Sequence, residues 1–132
     1  MYLCDTNVLS ELARPQPDAN VLAWLAKVDR LILSAITVEE LYFGLTWHPN
    51  PRIASWLDAL LADCTVLPVT PEIARLGGEL RGKLVASGKP RTQADLLIAA
   101  TVRHHDHVLV TRNLRDFVDC GISLLDPFAT RA

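Results

Sequence analysis

Cysteine is scarce and unpaired in this sequence. Cys4, Cys64 and Cys120 are odd in number, far apart, and form no CxxC pair. That argues against a disulfide framework or a thiolate zinc site. It favours small buried hydrophobes in a reducing, cytoplasmic compartment. Long hydrophobic runs are lacking too. No apolar stretch reaches the ~18 residues of a membrane span, and a strand-like segment at the very start leaves no room for a signal peptide. Neither GxxxxGK[ST] nor GxGxxG occurs, so a nucleotide phosphate loop is not supported. Ser10, Ser34 and Ser55 stand outside any nucleophile motif. Charge of one sign is missing: the net charge is −2, so the whole chain offers no general attraction for nucleic acid or acidic membranes. Repeats, low-complexity tracts and dividing linkers are absent.

What remains is a 132-residue chain, 50% hydrophobic and 21% charged, a balance that suits one globular domain over residues 1–132. Strand-like runs alternate with helical ones. Tyr2-Leu3-Cys4, Leu31-Ile32-Leu33, Thr65 to Val69, Val108-Leu109-Val110 and Ile122 to Leu125 read as strands. Helices are expected over Thr6 to Ala13, Asp18 to Lys27, Thr37 to Trp47 and Ile53 to Ala62. A long one starts at Pro71, and an apolar, buried one runs from Thr92 to His104. This alternation predicts an α/β fold, a mostly parallel sheet covered by helices on both faces. Its ligand site belongs beyond the carboxyl ends of the strands, at a topological switch point.

Four of the acids sit where such a site would form. Asp5 follows the first strand, and Asp116 follows the fourth by a short loop. Glu40 and Asp95 stand at helix entries. Each has an ordinary reading beside the functional one. Thr37-Val38-Glu39-Glu40 fits a capping box, Thr92-Gln93-Ala94-Asp95 is its aspartate variant, Asp5 suits a cap for Thr6, and Asp116 suits a loop charge. Taken together, the ordinary readings need four coincidences at one sheet edge. Converging carboxylates call for a hard divalent cation, and two such ions suffice to cleave a phosphodiester without a His or Ser nucleophile.

Other candidates are weaker. His104-His105-Asp106-His107 suits the negative end of a helix better than a metal site. Trp24, Trp47 and Trp56 suit core or interface anchors. Arg75, Arg81, Lys83, Lys89 and Arg91 lead straight towards Asp95. They make a basic rim that would hold a nucleic-acid backbone beside an acidic pocket, although a solvated helix face has the same composition. Arg112 joins this set.

The segments Cys4-Asp5-Thr6-Asn7, Thr37-Val38-Glu39-Glu40-Leu41, Gln93 to Ala100 and Thr111 to Phe117 resemble the PIN-domain ribonucleases. The likeness is strongest to the VapC-type toxins of bacterial toxin–antitoxin pairs, and it runs from Tyr2 to about Pro127. The resemblance implies a parallel sheet with the first strand near its centre. It implies Mg²⁺, or Mn²⁺, held by Asp5 and Asp95 directly and by Glu40 and Asp116 directly or through water. Asn7, Thr111 and Asn113 match its supporting polar positions. Some members carry an aspartate where this chain has Asn113, which bears on whether a second metal is held. The activity implied is endoribonuclease cleavage by a metal-activated water, leaving 5′-phosphate and 3′-hydroxyl ends. The partners implied are an RNA substrate, a second copy in a homodimer, and an antitoxin lying across the chain, for which the exposed part of the Val21/Trp24/Leu25 and Leu41/Phe43/Trp47 segments could form an apolar groove. The alternatives are a PIN-type nuclease of RNA maturation, an aspartate-nucleophile phosphohydrolase acting through Asp5, and a non-catalytic interaction module.

Overall fold

The computed structural model describes residues 1–129; the last three residues of the expected domain lie outside them. Five three-residue strands form one sheet: β1 (Tyr2–Cys4), β2 (Ile32–Ser34), β3 (Thr65–Leu67), β4 (Val108–Val110) and β5 (Ser123–Leu125). Their order is β3-β2-β1-β4-β5, and every neighbouring pair is parallel. The first strand is central, with Leu3 opposite both Ile32 and Leu109. From β1 the chain winds outward through β2 to β3, then returns to the other side of β1 for β4 and β5. That reversal makes the carboxyl ends of β1 and β4 the switch point.

Six helices connect the strands: α1 (Thr6–Leu12), α2 (Ala19–Leu25), α3 (Ala35–Trp47), α4 (Pro51–Asp63), α5 (Pro71–Ala86) and α6 (Gln93–His105). Consecutive residues of a strand point to opposite faces, and here both faces are covered. Leu3, Ile32 and Leu109 join a cluster with Leu80, Leu84, Leu96, Ile98 and Phe117, beneath α5 and α6. Their neighbours Cys4, Leu33 and Val110 join Val8, Leu9, Val21 and Trp24, beneath α1 and α2. Such double burial gives the near-continuous apolar strands seen in the sequence. Among the described residues, no helix is long and apolar enough to cross a membrane.

Local chemistry sets the boundaries. Asn50 accepts from the Ile53 amide and Pro51 occupies the first turn, so α4 starts earlier than the apolar pattern indicates. The third strand stops at Leu67 because Pro68 cannot continue a ladder. The third helix starts two residues before the expected Thr37: Ser34, the last residue of β2, is its cap and accepts from the Ile36 amide. Thr37 therefore lies inside the first turn and is fully buried.

Candidate active site

Asp5 is the first residue beyond the central strand, and its backbone N–H donates to Val110 of β4. One of its oxygens caps α1 by accepting from the Thr6 amide at 2.8 Å. The other accepts from the Thr111 hydroxyl at 2.8 Å and from the Asn7 amide at 3.2 Å. Asn7 also donates to Thr111 (3.1 Å), and its own carbonyl accepts from the Arg112 backbone N–H. The carboxylate is thus fixed from β1, α1 and the loop after β4 at once. Asp5 is both a cap and a site residue.

For Glu40 the capping-box reading is overturned. With the helix starting at Ala35, Glu40 lies beyond the first turn and has no free helix N–H beside it. It accepts instead from the Thr6 hydroxyl of α1 at 2.7 Å, and that hydroxyl is hydrogen-bonded to Thr37 at 3.1 Å. Residues 34 positions apart in the chain are joined here, which no local cap accounts for. Asp95 does sit in the first turn of α6, where its backbone N–H donates to the Thr92 hydroxyl. Asp116 ends a single 3-10 turn, Leu114–Asp116. Its amide donates to the Asn113 carbonyl, and the Asn113 amide donates to Thr111.

Asp5, Glu40 and Asp95 line one open cleft of about 450 Å³, together with Thr6, Asn7, Ser10, Glu11, Arg14 and Asn113. Asp116 lies just beyond that lining, yet its charge acts on both Asp5 and Asp95. Burial raises the Asp5 carboxyl above its usual range; the Thr111 and Thr6 hydrogen bonds pull it back, while Glu40 and Asp116 push it up. Burial is also the main cause at Asp95, with Thr92 and Arg91 opposing and Asp5 and Asp116 adding to the rise. Asp5 and Asp95 are thus each penalised for their charge, by lost solvent and by neighbouring carboxylates.

The donor set suits a hard divalent ion. The carboxylates supply oxygen alone, and a cation would relieve their mutual repulsion. Among the described residues no three acidic or histidine side chains converge closely enough to hold an ion by themselves. An ion here would keep part of its water shell, as Mg²⁺ commonly does. Among the described residues Arg14 is the one basic side chain lining the cleft, and it pairs with Glu11 at 3.3 Å.

The sequence reading missed Thr6, Ser10, Glu11 and Arg14. Thr6 lay within a quoted motif, but its partner Glu40 is reached only through tertiary contact. Of the basic candidates, Arg81 and Lys83 are exposed on α5. Arg75 pairs with Glu79 on the same helix. Lys89 lies 3.7 Å from Asp119, and the Arg112 guanidinium stacks on Phe128 at 4.5 Å. Arg91 is turned inward, with its Nε donating to the Asp116 carbonyl.

The expected apolar groove is half corrected. Val21 and Trp24 are buried in the core and offer no surface, because α2 packs its apolar stripe on the sheet. Phe43 and Trp47 are 58% and 67% exposed. Leu41, Gly44, Leu45, Ile53 and Trp56 line a groove of about 270 Å³ that runs into the acidic cleft at Thr6, Ser10 and Glu40. His105 and His107 stack at 5.6 Å at the end of α6, away from the cleft.

The PIN domain family model matches residues 2–120. The VapC ribonuclease Y4jK of Sinorhizobium fredii is 37% identical, over 97% of this chain and 98% of that protein. FitAcB from Neisseria gonorrhoeae superposes with a TM-score of 0.88 at 32% identity, covering 98% of this chain and 100% of that one. VapBC-5 of Mycobacterium tuberculosis, described as a member of the VapBC family of toxin–antitoxin systems, has a TM-score of 0.66 at 28% identity over 93% and 94% of the two chains. The chain belongs to the PIN-domain family and, within it, to the VapC-type proteins.

Proposed function

We propose that this single-domain chain is a metal-dependent endoribonuclease and the toxin of a toxin–antitoxin pair. The observation that carries this reading is the meeting of Asp5, Glu40 and Asp95 in one cleft, from three separate elements, with Asp116 at its edge. The names of similar proteins, a VapC ribonuclease and a toxin–antitoxin complex, support the substrate class and the partner.

Asp5 and Asp95 would hold Mg²⁺ or Mn²⁺ directly, with Glu40 and Asp116 contributing directly or through water. Such an ion supplies Lewis acidity towards water and the phosphodiester. The chain supplies orientation. Thr111 and Asn7 aim one oxygen of Asp5, the Thr6 amide fixes the other, and the Thr6 hydroxyl aims Glu40. Arg81, Lys83 and Arg112, all exposed, are the candidates for the RNA backbone. The products expected are 5′-phosphate and 3′-hydroxyl ends.

An aspartate-nucleophile reading is disfavoured by Asp5 itself. Both of its oxygens accept hydrogen bonds, and the residue two positions on is Asn7, which donates to Asp5 and has no proton to relay. The exposed pair on α3, where Phe43 and Trp47 meet edge to face at 5.4 Å, supports a partner surface there. An exposed aromatic patch of that kind marks an interaction site. It would serve the antitoxin, a second copy of the chain, or both.

The deciding experiment incubates the chain with RNA and Mg²⁺. Cleavage should appear, stop on addition of EDTA, and be absent in Asp5→Asn, which keeps the shape of the side chain. Full activity in Asp5→Asn would sink the proposal.

A further inference from the structure

Arg91 lies between α5 and α6, in the loop that enters the helix carrying Asp95. Its side chain is only 19% exposed, unusual for an arginine in a surface loop. Its hydrogen bonds and ion pair among the described residues all lie within the fold. Nε donates to the Asp116 backbone carbonyl at 3.1 Å. One terminal nitrogen donates to the carbonyls of Lys89 (3.2 Å) and Pro90 (3.1 Å) in its own loop. The other pairs with Asp119 at 3.5 Å, and Lys89 approaches the same carboxylate. The guanidinium fork therefore spans from the entry of α6 to the 3-10 turn that ends in Asp116.

Beyond its own hydrogen bonds the turn is anchored on both sides: before it, the Asn113 amide donates to Thr111, and after it the chain enters the core. Phe117, 1% exposed, is buried in the cluster under α5 and α6. The start of the loop is held elsewhere: the Thr111 hydroxyl donates to Asp5, and the Arg112 amide donates to Asn7. At the far end, where Asp116 sits, the Arg91 side chain bonds directly to the backbone of the turn. Resting on the nuclease reading above, we propose that Arg91 is a positioning residue. It fastens the Asp116 turn to the entry of the Asp95 helix and so fixes these two carboxylates relative to each other. Asp119 holds the fork in place. Arg91 is therefore removed from the RNA-contacting set to which its charge first assigned it.

Two effects of removing Arg91 have opposite sign, which makes the proposal testable. Loss of a positive charge near Asp95 should by Coulomb's law tighten the binding of a divalent cation. Loss of a positioning contact should weaken it, by roughly 10-fold or more for partners of this kind. The experiment uses the full chain as wild type, Arg91→Ala, Arg91→Lys and Asp119→Ala. Three quantities are measured: Mn²⁺ affinity by calorimetry without RNA, amide exchange over Leu114 to Phe117, and kcat and KM on RNA.

In Arg91→Ala the proposal expects weaker Mn²⁺ binding, faster exchange in the turn, and a kcat at least ~10-fold lower with KM within about twofold. Asp119→Ala should change in the same direction by less. Arg91→Lys keeps the charge without the fork and should fall between Arg91→Ala and wild type; it carries the measurement if Arg91→Ala does not fold. Tighter Mn²⁺ binding in Arg91→Ala would overturn the proposal. So would wild-type behaviour of Arg91→Lys, or a raised KM at unchanged kcat. Tighter RNA binding by Asp119→Ala would overturn it too, because a freed RNA-contacting arginine would produce that result. If wild type cleaves no RNA, the nuclease reading fails by itself. The positioning role then stands or falls on Mn²⁺ affinity and exchange.

Discussion

At the scale of single residues, the site holds two carboxylates, Asp5 and Asp95, where their charge is disfavoured. Asp5 and Asp95 both have raised pKa values, chiefly through burial. A carboxyl with a raised folded pKa contributes stability that is fully present below its unfolded value, near 4, and lost as pH rises through the raised value. Without metal, these two groups should therefore lower stability as the solution goes from mildly acid to neutral. A divalent ion offsets that loss only where both are ionised. The rise in Tm on adding Mg²⁺ should accordingly be larger at about pH 7.5 than at about pH 4.5, as read by calorimetry. Equal rises would mean that these acids do not hold the ion. Asp95→Asn should raise the metal-free Tm by ~2–4 °C at neutral pH and abolish the response to Mg²⁺. Thr6→Val tests the support of Glu40. Its backbone N–H still serves Asp5, so the fold should persist, while cleavage falls by ~10-fold through loss of the 2.7 Å contact.

At the scale of elements, most of the molecule was legible and the errors have definite causes. All five strands and six helices were readable because each strand is a short apolar run and turn chemistry separates them. Asn50 before Pro51 and Thr70 before Pro71 are explicit starts. The beginning of α3 was misread because Ser34 is both the end of a strand and a cap, so no loop separates the two. The Thr37-Val38-Glu39-Glu40 sequence then imitated a capping box inside the helix. The inward turn of Arg91 left no mark in the sequence either. Its hydrogen-bond partners are backbone carbonyls, which have no side-chain signature. Helix packing beneath the site gives a further prediction. A Cβ at Gly77 of α5 would stand 3.0 Å from a methyl of Leu97 on α6. Gly77→Val, which adds three carbons there, should destabilise the protein by about 1–3 kcal/mol in chemical denaturation. No loss of stability would mean that α5 and α6 are free to separate.

At the scale of the whole molecule, α3 is the exception to inside-out packing. Thr37 is its one buried residue, although the helix is apolar nearly all round. Exposed aromatic faces of this kind commonly mark interaction sites. Phe43→Glu combined with Trp47→Glu should leave the metal response intact and lower the mass seen in sedimentation if a second copy covers this face. An unchanged dimer would place self-association elsewhere. The sheet order also governs when the site can exist. The bond from Thr111 to Asp5 joins residues 106 positions apart, and the central strand is complete only when β4 pairs with it. On a ribosome adding ~5–20 residues per second, the interval between Asp5 and Thr111 is roughly 5–20 s. Throughout that time the nascent chain carries its first carboxylate without the loop that aims it. A site built this way cannot be assembled during its own translation until nearly the whole chain has been made.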